Sequence, residues 1–161
     1  YNFANEFSQA LINIIHNAND ALYFKIDNKD SRIIRITTRQ LQESVVIEVL
    51  DNAGGINTKI MNKIFEPYFT TKHKFQGTGL GLYMTHKIIQ ESMKGDISVE
   101  NHEFVYENKK YIGALFRISL SCNTWLTLTQ PLWYNQSLNI KLIIQILGLE
   151  NGKKFIWNTR S

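Results

Sequence analysis

Apolar residues recur at helical spacing over residues 4–24. Leu11, Ile14, Ile15, Ala18 and Leu22 cluster on one face at 100° per residue. Asn13, Asn17 and Asp20 gather on the opposite face, within about 60° of one another. The pattern predicts an amphipathic helix whose polar stripe is either solvated or the wall of a site.

The period then changes. Residues 27–31 have the composition of a turn, and residues 32–39 and 44–50 predict two strands. In the second, Val45, Ile47 and Val49 point one way and Val46, Glu48 and Leu50 the other. Residues 58–65 predict a short helix, which Glu66-Pro67 ends. Residues 70–78 are polar and bounded by glycine, and predict a mobile loop. A helix follows over 79–93, with Leu82, Ile88 and Ile89 inward and Gly95 as its stop. Residues 96–101 and 111–120 predict paired strands, joined by a hairpin around Glu107-Asn108-Lys109-Lys110. The order α-β-β-α-loop-α-β-β predicts an α+β fold: a two-layer α/β sandwich, with helices on one face of a mixed, mostly antiparallel sheet.

With 161 residues, the chain is long enough for one domain with a real core. Its 43% hydrophobic and 20% charged residues are those of a globular chain. No apolar run reaches the roughly 20 residues of a membrane span, and no signal-peptide pattern opens the sequence. The lone Cys122 suits a reducing compartment and reads as a buried thiol. Lys141, Lys153, Lys154 and Arg160 against Glu150 place +3 of the net +4 in residues 122–161. The remainder carries no basic stripe with interleaved aromatics, so nucleic acid is not an expected partner.

Three segments carry candidate chemistry. In Asp51-Asn52-Ala53-Gly54-Gly55-Ile56, glycines let a flat ligand approach the backbone. The Asp51 carboxylate can accept from an exocyclic amine, which selects adenine over guanine; a tight turn opened by Asp is the plainer alternative. Gly77-Thr78-Gly79-Leu80-Gly81-Leu82 opens a helix whose free N–H groups and positive dipole end suit phosphate. It matches neither a Walker A loop nor a dinucleotide-binding fingerprint, and its glycines alone could serve helix packing. The Asn17 amide oxygen can ligate Mg²⁺, which prefers oxygen ligands and keeps several waters. Asn13, one turn earlier, could position a water or a phosphate.

Together these segments resemble the ATP-binding catalytic domain of sensor histidine kinases, within the gyrase/Hsp90/histidine-kinase/MutL superfamily. Residues 11–18, with Asn13 and Asn17, look like its N box, and residues 51–56 like its G1 box. Ile64-Phe65-Glu66-Pro67-Tyr68-Phe69-Thr70-Thr71-Lys72 looks like its F box, and residues 77–82 like its G2 box. The likeness covers residues 5–120. Thr70-Thr71-Lys72 and Asp20-Ala21 look most like the nitrogen-regulation or dicarboxylate-sensing type.

The resemblance implies a Bergerat-type ATP-binding fold that holds ATP and Mg²⁺ between the N-box helix and a lid over 66–78. Asn17 would ligate Mg²⁺, Asn13 would contact the metal–phosphate region, and Asp51 would bind adenine N6. Gly55 would line the base, and Gly77, Gly79 and Gly81 would handle the phosphates. Lys72 would reach the phosphates; a solvated lid lysine fits it equally well. Gyrase-like ATPases carry a glutamate, the base for water, where this chain has Asn13. An amide cannot take that proton, so the site is suited to transfer rather than hydrolysis.

Departures are expected to matter. Ala53 stands where the G1 box often has its first glycine. The family's first strand and its dimerisation helix with a phosphoacceptor histidine are not seen, so the chain reads as an N-terminally truncated catalytic fragment, inactive alone. His16 and His86 read as helix-surface or packing residues, and His102-Glu103 falls in a hairpin. The expected partners are the dimerisation domain of the same full-length protein and a response regulator. The expected location is cytoplasmic, without membrane contact by this domain, though the full-length protein could be membrane-anchored. Residues 1–121 form the expected catalytic domain and 122–161 an extension of unknown role, in which 138–149 is apolar enough for a helix or strand. The alternative is a non-catalytic nucleotide-sensing or protein-interaction module of the same fold.

Overall fold

A computed structural model describes residues 3–71, 77–124 and 154–160, the last by backbone pairing alone. Helix α1 (Phe3–Lys25) leads into strands β1 (Ile33–Leu41) and β2 (Ser44–Asp51). The single turn α2 (Thr58–Met61) and helix α3 (Gly81–Lys87) precede β3 (Asp96–Tyr106) and β4 (Lys109–Ser121), and β5 (Lys154–Arg160) comes last. The sheet order is β3-β4-β2-β1-β5. β1–β2, β2–β4 and β3–β4 pair antiparallel, while β5 pairs parallel to β1 at the edge. The expected helix-on-sheet arrangement and mixed, mostly antiparallel sheet are therefore found.

The apolar face of α1 is the one its period predicts. Leu11, Ile14, Ile15 and Leu22 are wholly buried, with Phe7, Ala10 and Ala18 on the same stripe. They pack on Ile34 and Ile36 of β1, Val45, Ile47 and Val49 of β2, and Phe116, Ile118 and Leu120 of β4. Each large side chain buried here stabilises the fold by about 1.5–3 kcal/mol relative to exposure. On the other face of the sheet, Glu48 Oε1 accepts from Arg39 Nη2 at 2.5 Å and from Arg117 Nε at 3.0 Å. Arg117 Nη2 continues the chain to Glu100 Oε1 at 3.3 Å, so one ion-pair chain spans four strands.

Several local boundaries differ from expectation. The helix expected over 58–65 is one α-turn, capped by Asn57 and followed by turns. The helix expected over 79–93 starts at Gly81, and its end widens into a π-turn over Ile88–Ser92. Gly95 still closes it, its N–H donating to Ile89 O. β3 runs five residues past its expected end, because Glu107 and Asn108 turn the hairpin with φ of 48° and 60°. Two positive-φ residues match the right-handed twist of the flanking strands. Cys122 is half-buried rather than buried. Residues 138–149 lie outside the described residues.

Candidate functional site

A cavity of about 730 Å³ opens between α1, the turn after β2, residues 69–71 and the segment leading into α3. Asn13, Asn17, Asp51, Gly55, Gly77, Gly79 and Gly81 all line it. Asp20 does too, so the polar stripe of α1 is the wall of a site. Lys72 lies outside the described residues. His16 borders the cavity from an exposed position, whereas the His86 ring packs at 5.1 Å from that of Phe65.

Asp51 is 3% exposed, a costly place for a charge. Its Oδ1 accepts from Ala53 N at 2.8 Å and Ala114 N at 3.2 Å. Burial pushes its carboxyl above the usual carboxylate range; the two N–H groups and the Lys25 ammonium pull it back. Both hydrogen bonds fall on one oxygen, which leaves Oδ2 without a hydrogen bond among the described residues. Asp51 is thus a fixed acceptor at the cavity wall, as reading an amine requires. The neighbouring Asn52 is buried and structural: it accepts from Ile33 N and donates to Ser31 O, both at 2.8 Å.

The turn after Asp51 needs its glycines, since Gly54 and Gly55 have φ of 79° and 77°. Ala53, the departure from the G1 pattern, is buried and needs no positive φ. At the other end of the cavity Gly79 has φ of 68°, and a Cβ there would overlap the Tyr68 carbonyl carbon. That close approach joins the F-box segment to the G2 segment.

Asn13 joins α1 to α3. Its Nδ2 donates to Gly81 O at 3.2 Å and Thr85 Oγ1 at 3.3 Å, and its Oδ1 accepts from Gln9 Nε2 at 3.1 Å. Thr85, wholly buried, donates in turn to Gly81 O at 2.9 Å. Asn17 Nδ2 donates to Asn13 O at 2.9 Å, which steers its side chain along the cavity wall. Oxygen donors on one helix face beside a phosphate-suited turn are the chemistry a Mg²⁺–nucleotide needs, and the cavity is of nucleotide size.

Sequence reasoning missed Lys25, Asn101 and Thr85. Lys25 lies about 80° round α1 from Asn17, off the Asn13–Asn17–Asp20 stripe, and reaches the turn through its long side chain, so helical spacing does not mark it. Asn101 and Thr85 carry no local signal, because their partners are far away in the chain.

A family model described as histidine kinase-, DNA gyrase B- and HSP90-like ATPase matches residues 3–124. The chain belongs to this family. Among its relatives, the nitrogen regulation protein NtrY of Azorhizobium caulinodans is 40% identical over 85 residues, 52% of this chain. The two-component sensor PprA of Pseudomonas aeruginosa is 38% identical over 100 residues, 61% of this chain. This chain spans about 11% of the length of either relative. The catalytic domain of histidine kinase ThkA, solved nucleotide-free, superposes with a TM-score of 0.54 at 32% identity, covering 73% of this chain and 66% of that one. The ATP-binding domain expected from the four boxes is therefore found, with the fold of a histidine kinase catalytic domain.

Proposed function

We propose that this domain binds Mg²⁺–ATP in the cavity and presents its γ-phosphoryl to a histidine on a dimerisation domain outside these residues. The observation that carries this reading is that one cavity gathers a buried carboxylate, Asp51, the three glycines of residues 77–82 and the amide stripe of α1. Asp51 would accept from adenine N6. Gly77, Gly79 and Gly81 would bring backbone close to the phosphates, and Asn17 would lend an oxygen to Mg²⁺. Bound there, Mg²⁺ supplies charge neutralisation on the phosphates. The chain's own contribution is to bind and orient, which is most of what phosphoryl transfer asks of a protein.

Asn13 supports transfer over hydrolysis. Its amide already donates to Gly81 and Thr85, and an amide cannot deprotonate water. Among the described residues no helix is long and apolar enough to cross a membrane, and a cytoplasmic location fits a domain that consumes ATP. A response regulator is the expected acceptor beyond the histidine.

Isothermal titration with a non-hydrolysable ATP analogue, with and without Mg²⁺, tests the site. Binding should strengthen with Mg²⁺ and fall in Asp51→Ala; its absence in the native chain would refute the proposal. Adding a dimerisation domain in trans separates the alternatives: acid-labile phosphohistidine supports the kinase, and tight ATP binding without transfer supports a nucleotide sensor.

A further inference from the structure

The turn that follows Asp51 is held from outside the cavity. Asn101 of β3 grips Ile56 with both ends of its amide: Oδ1 accepts from Ile56 N at 2.7 Å, and Nδ2 donates to Ile56 O at 2.8 Å. The side chain thus does what a neighbouring strand would do, satisfying one residue's donor and acceptor together. Gly55 makes room for it, since a Cβ there would lie 2.5 Å from Asn101 Oδ1. From the other side, Lys25 Nζ donates to Gly55 O at 2.9 Å.

The register of the sheet gives this clamp a direction. Asn101 pairs across β3–β4 with Ala114, whose N–H holds Asp51 Oδ1. The carboxylate and the turn beside it are therefore fixed from one pair of residues. Ala53, Gly55 and Ile56 line the cavity, while Asn101 does not.

We propose that Asn101 is a positioning residue for base recognition: it pre-sets the turn at residues 53–56 against Asp51, so that the cavity distinguishes adenine from guanine nucleotides. The proposal rests on reading the cavity as the ATP site. Two adjacent glycines, Gly54 and Gly55, give this turn wide conformational freedom when it is released. Without the clamp, a base must order the turn as it binds, and affinity and discrimination fall together. Among the described residues the hydrogen bonds of Asn101 go to Ile56 alone, so the phosphate end of the cavity, built from residues 77–82 and α1, keeps its affinity.

Displacement of a fluorescent ATP analogue from the 161-residue chain tests this, with ATP, GTP and inorganic tripolyphosphate as competitors in Mg²⁺. In Asn101→Ala, ATP affinity should fall about tenfold and the ATP/GTP ratio should shrink, as loss of two hydrogen bonds allows. Tripolyphosphate affinity should stay within about twofold. Asn101→Asp keeps an acceptor for Ile56 N but sets an oxygen against Ile56 O, so ATP affinity and the ATP/GTP ratio should fall at least as far as in Asn101→Ala. A parallel loss of ATP and tripolyphosphate would make Asn101 a general structural residue and overturn the proposal, as would an unchanged ATP/GTP ratio. Asp51→Ala in the same titration locates a failure. If it abolishes ATP binding while Asn101→Ala changes nothing, the clamp alone is wrong; if it too changes nothing, the ATP site and the clamp fall together.

Discussion

Gly113 of β4 faces the backbone of Asp51 so closely that a Cβ on it would overlap the Asp51 carbonyl oxygen. The same Cβ would come within 2.9 Å of Asp51 Oδ1. The acceptor at the cavity wall is thus seated against bare backbone, between the N–H groups of Ala53 and Ala114.

Gly113→Ala should therefore cost at least about 3 kcal/mol, because backbone cannot move aside as a flexible side chain can. Chemical denaturation checks the loss. Whatever folds should bind ATP poorly, since the shift falls on Asp51. A melting temperature within 2–3 °C of the native chain, about 1 kcal/mol for this size, would contradict the packing.

Asp51→Asn should separate stability from selectivity. The native carboxyl sits above its ordinary value of 3.8 because it is buried. The folded state thus holds the proton more tightly than the unfolded chain, and stability is lost as pH rises from that ordinary value through the raised one. An amide carries no such cost, and its oxygen can still accept from Ala53 and Ala114. At neutral pH the variant should be as stable as the native chain or more so, an advantage that vanishes below pH about 4. Its N–H₂ would face the adenine amine, so ATP affinity should drop by about tenfold or more and GTP should gain relative to ATP. In the native chain, ATP affinity should decline on acidification at a higher pH than an ordinary aspartate would give.

The face of α1 was readable because burial repeats every turn, and Leu11, Ile14, Ile15, Ala18 and Leu22 are all core. Val45, Ile47 and Val49 of β2 join that core as their alternation predicts, while Leu50 packs in a second cluster with Phe104 and Leu115, and the glycine-bearing segments mark both ends of the cavity. Pairings set by sheet register were not readable. Asn101 meets Ile56 across 45 residues and Asn13 meets Gly81 across 68, and neither spacing leaves a periodic trace. The start of α3 at Gly81 was displaced from expectation by Gly79, whose positive φ is required where Tyr68 presses on it. The apolar tail sequence identified no partner, and only the sheet puts β5 beside β1.

The outer face of the sheet should be separable from the site. Glu48 is the common acceptor of Arg39 and Arg117, at 14% side-chain exposure. Glu48→Ala leaves two guanidinium groups without it, but both are more than a third exposed and water takes over part of the role. The expected loss is about 1–2 kcal/mol in denaturant unfolding, with ATP affinity unchanged. A large fall in ATP affinity would mean that the two faces of the sheet are coupled.

Asn13→Asp tests how the asparagine that ties α1 to α3 is used. Its Nδ2 donates to two oxygens, Gly81 O and Thr85 Oγ1. A carboxylate there would set oxygen against the Gly81 carbonyl and loosen the tie between α1 and α3. The expected cost at neutral pH is about 1–2 kcal/mol, or about 3–6 °C in Tm. Crowded by oxygens, the new carboxyl should have a raised pKa, and once protonated it can donate again. The stability deficit should therefore shrink as pH falls through that raised value, the reverse of ordinary acid denaturation. Thermal melts of both chains between pH 4 and 8 read this directly. Phosphate release from ATP should stay at background as long as the side chain keeps its place between α1 and α3; robust steady-state hydrolysis would show that the loosened carboxylate turns into the cavity and deprotonates water.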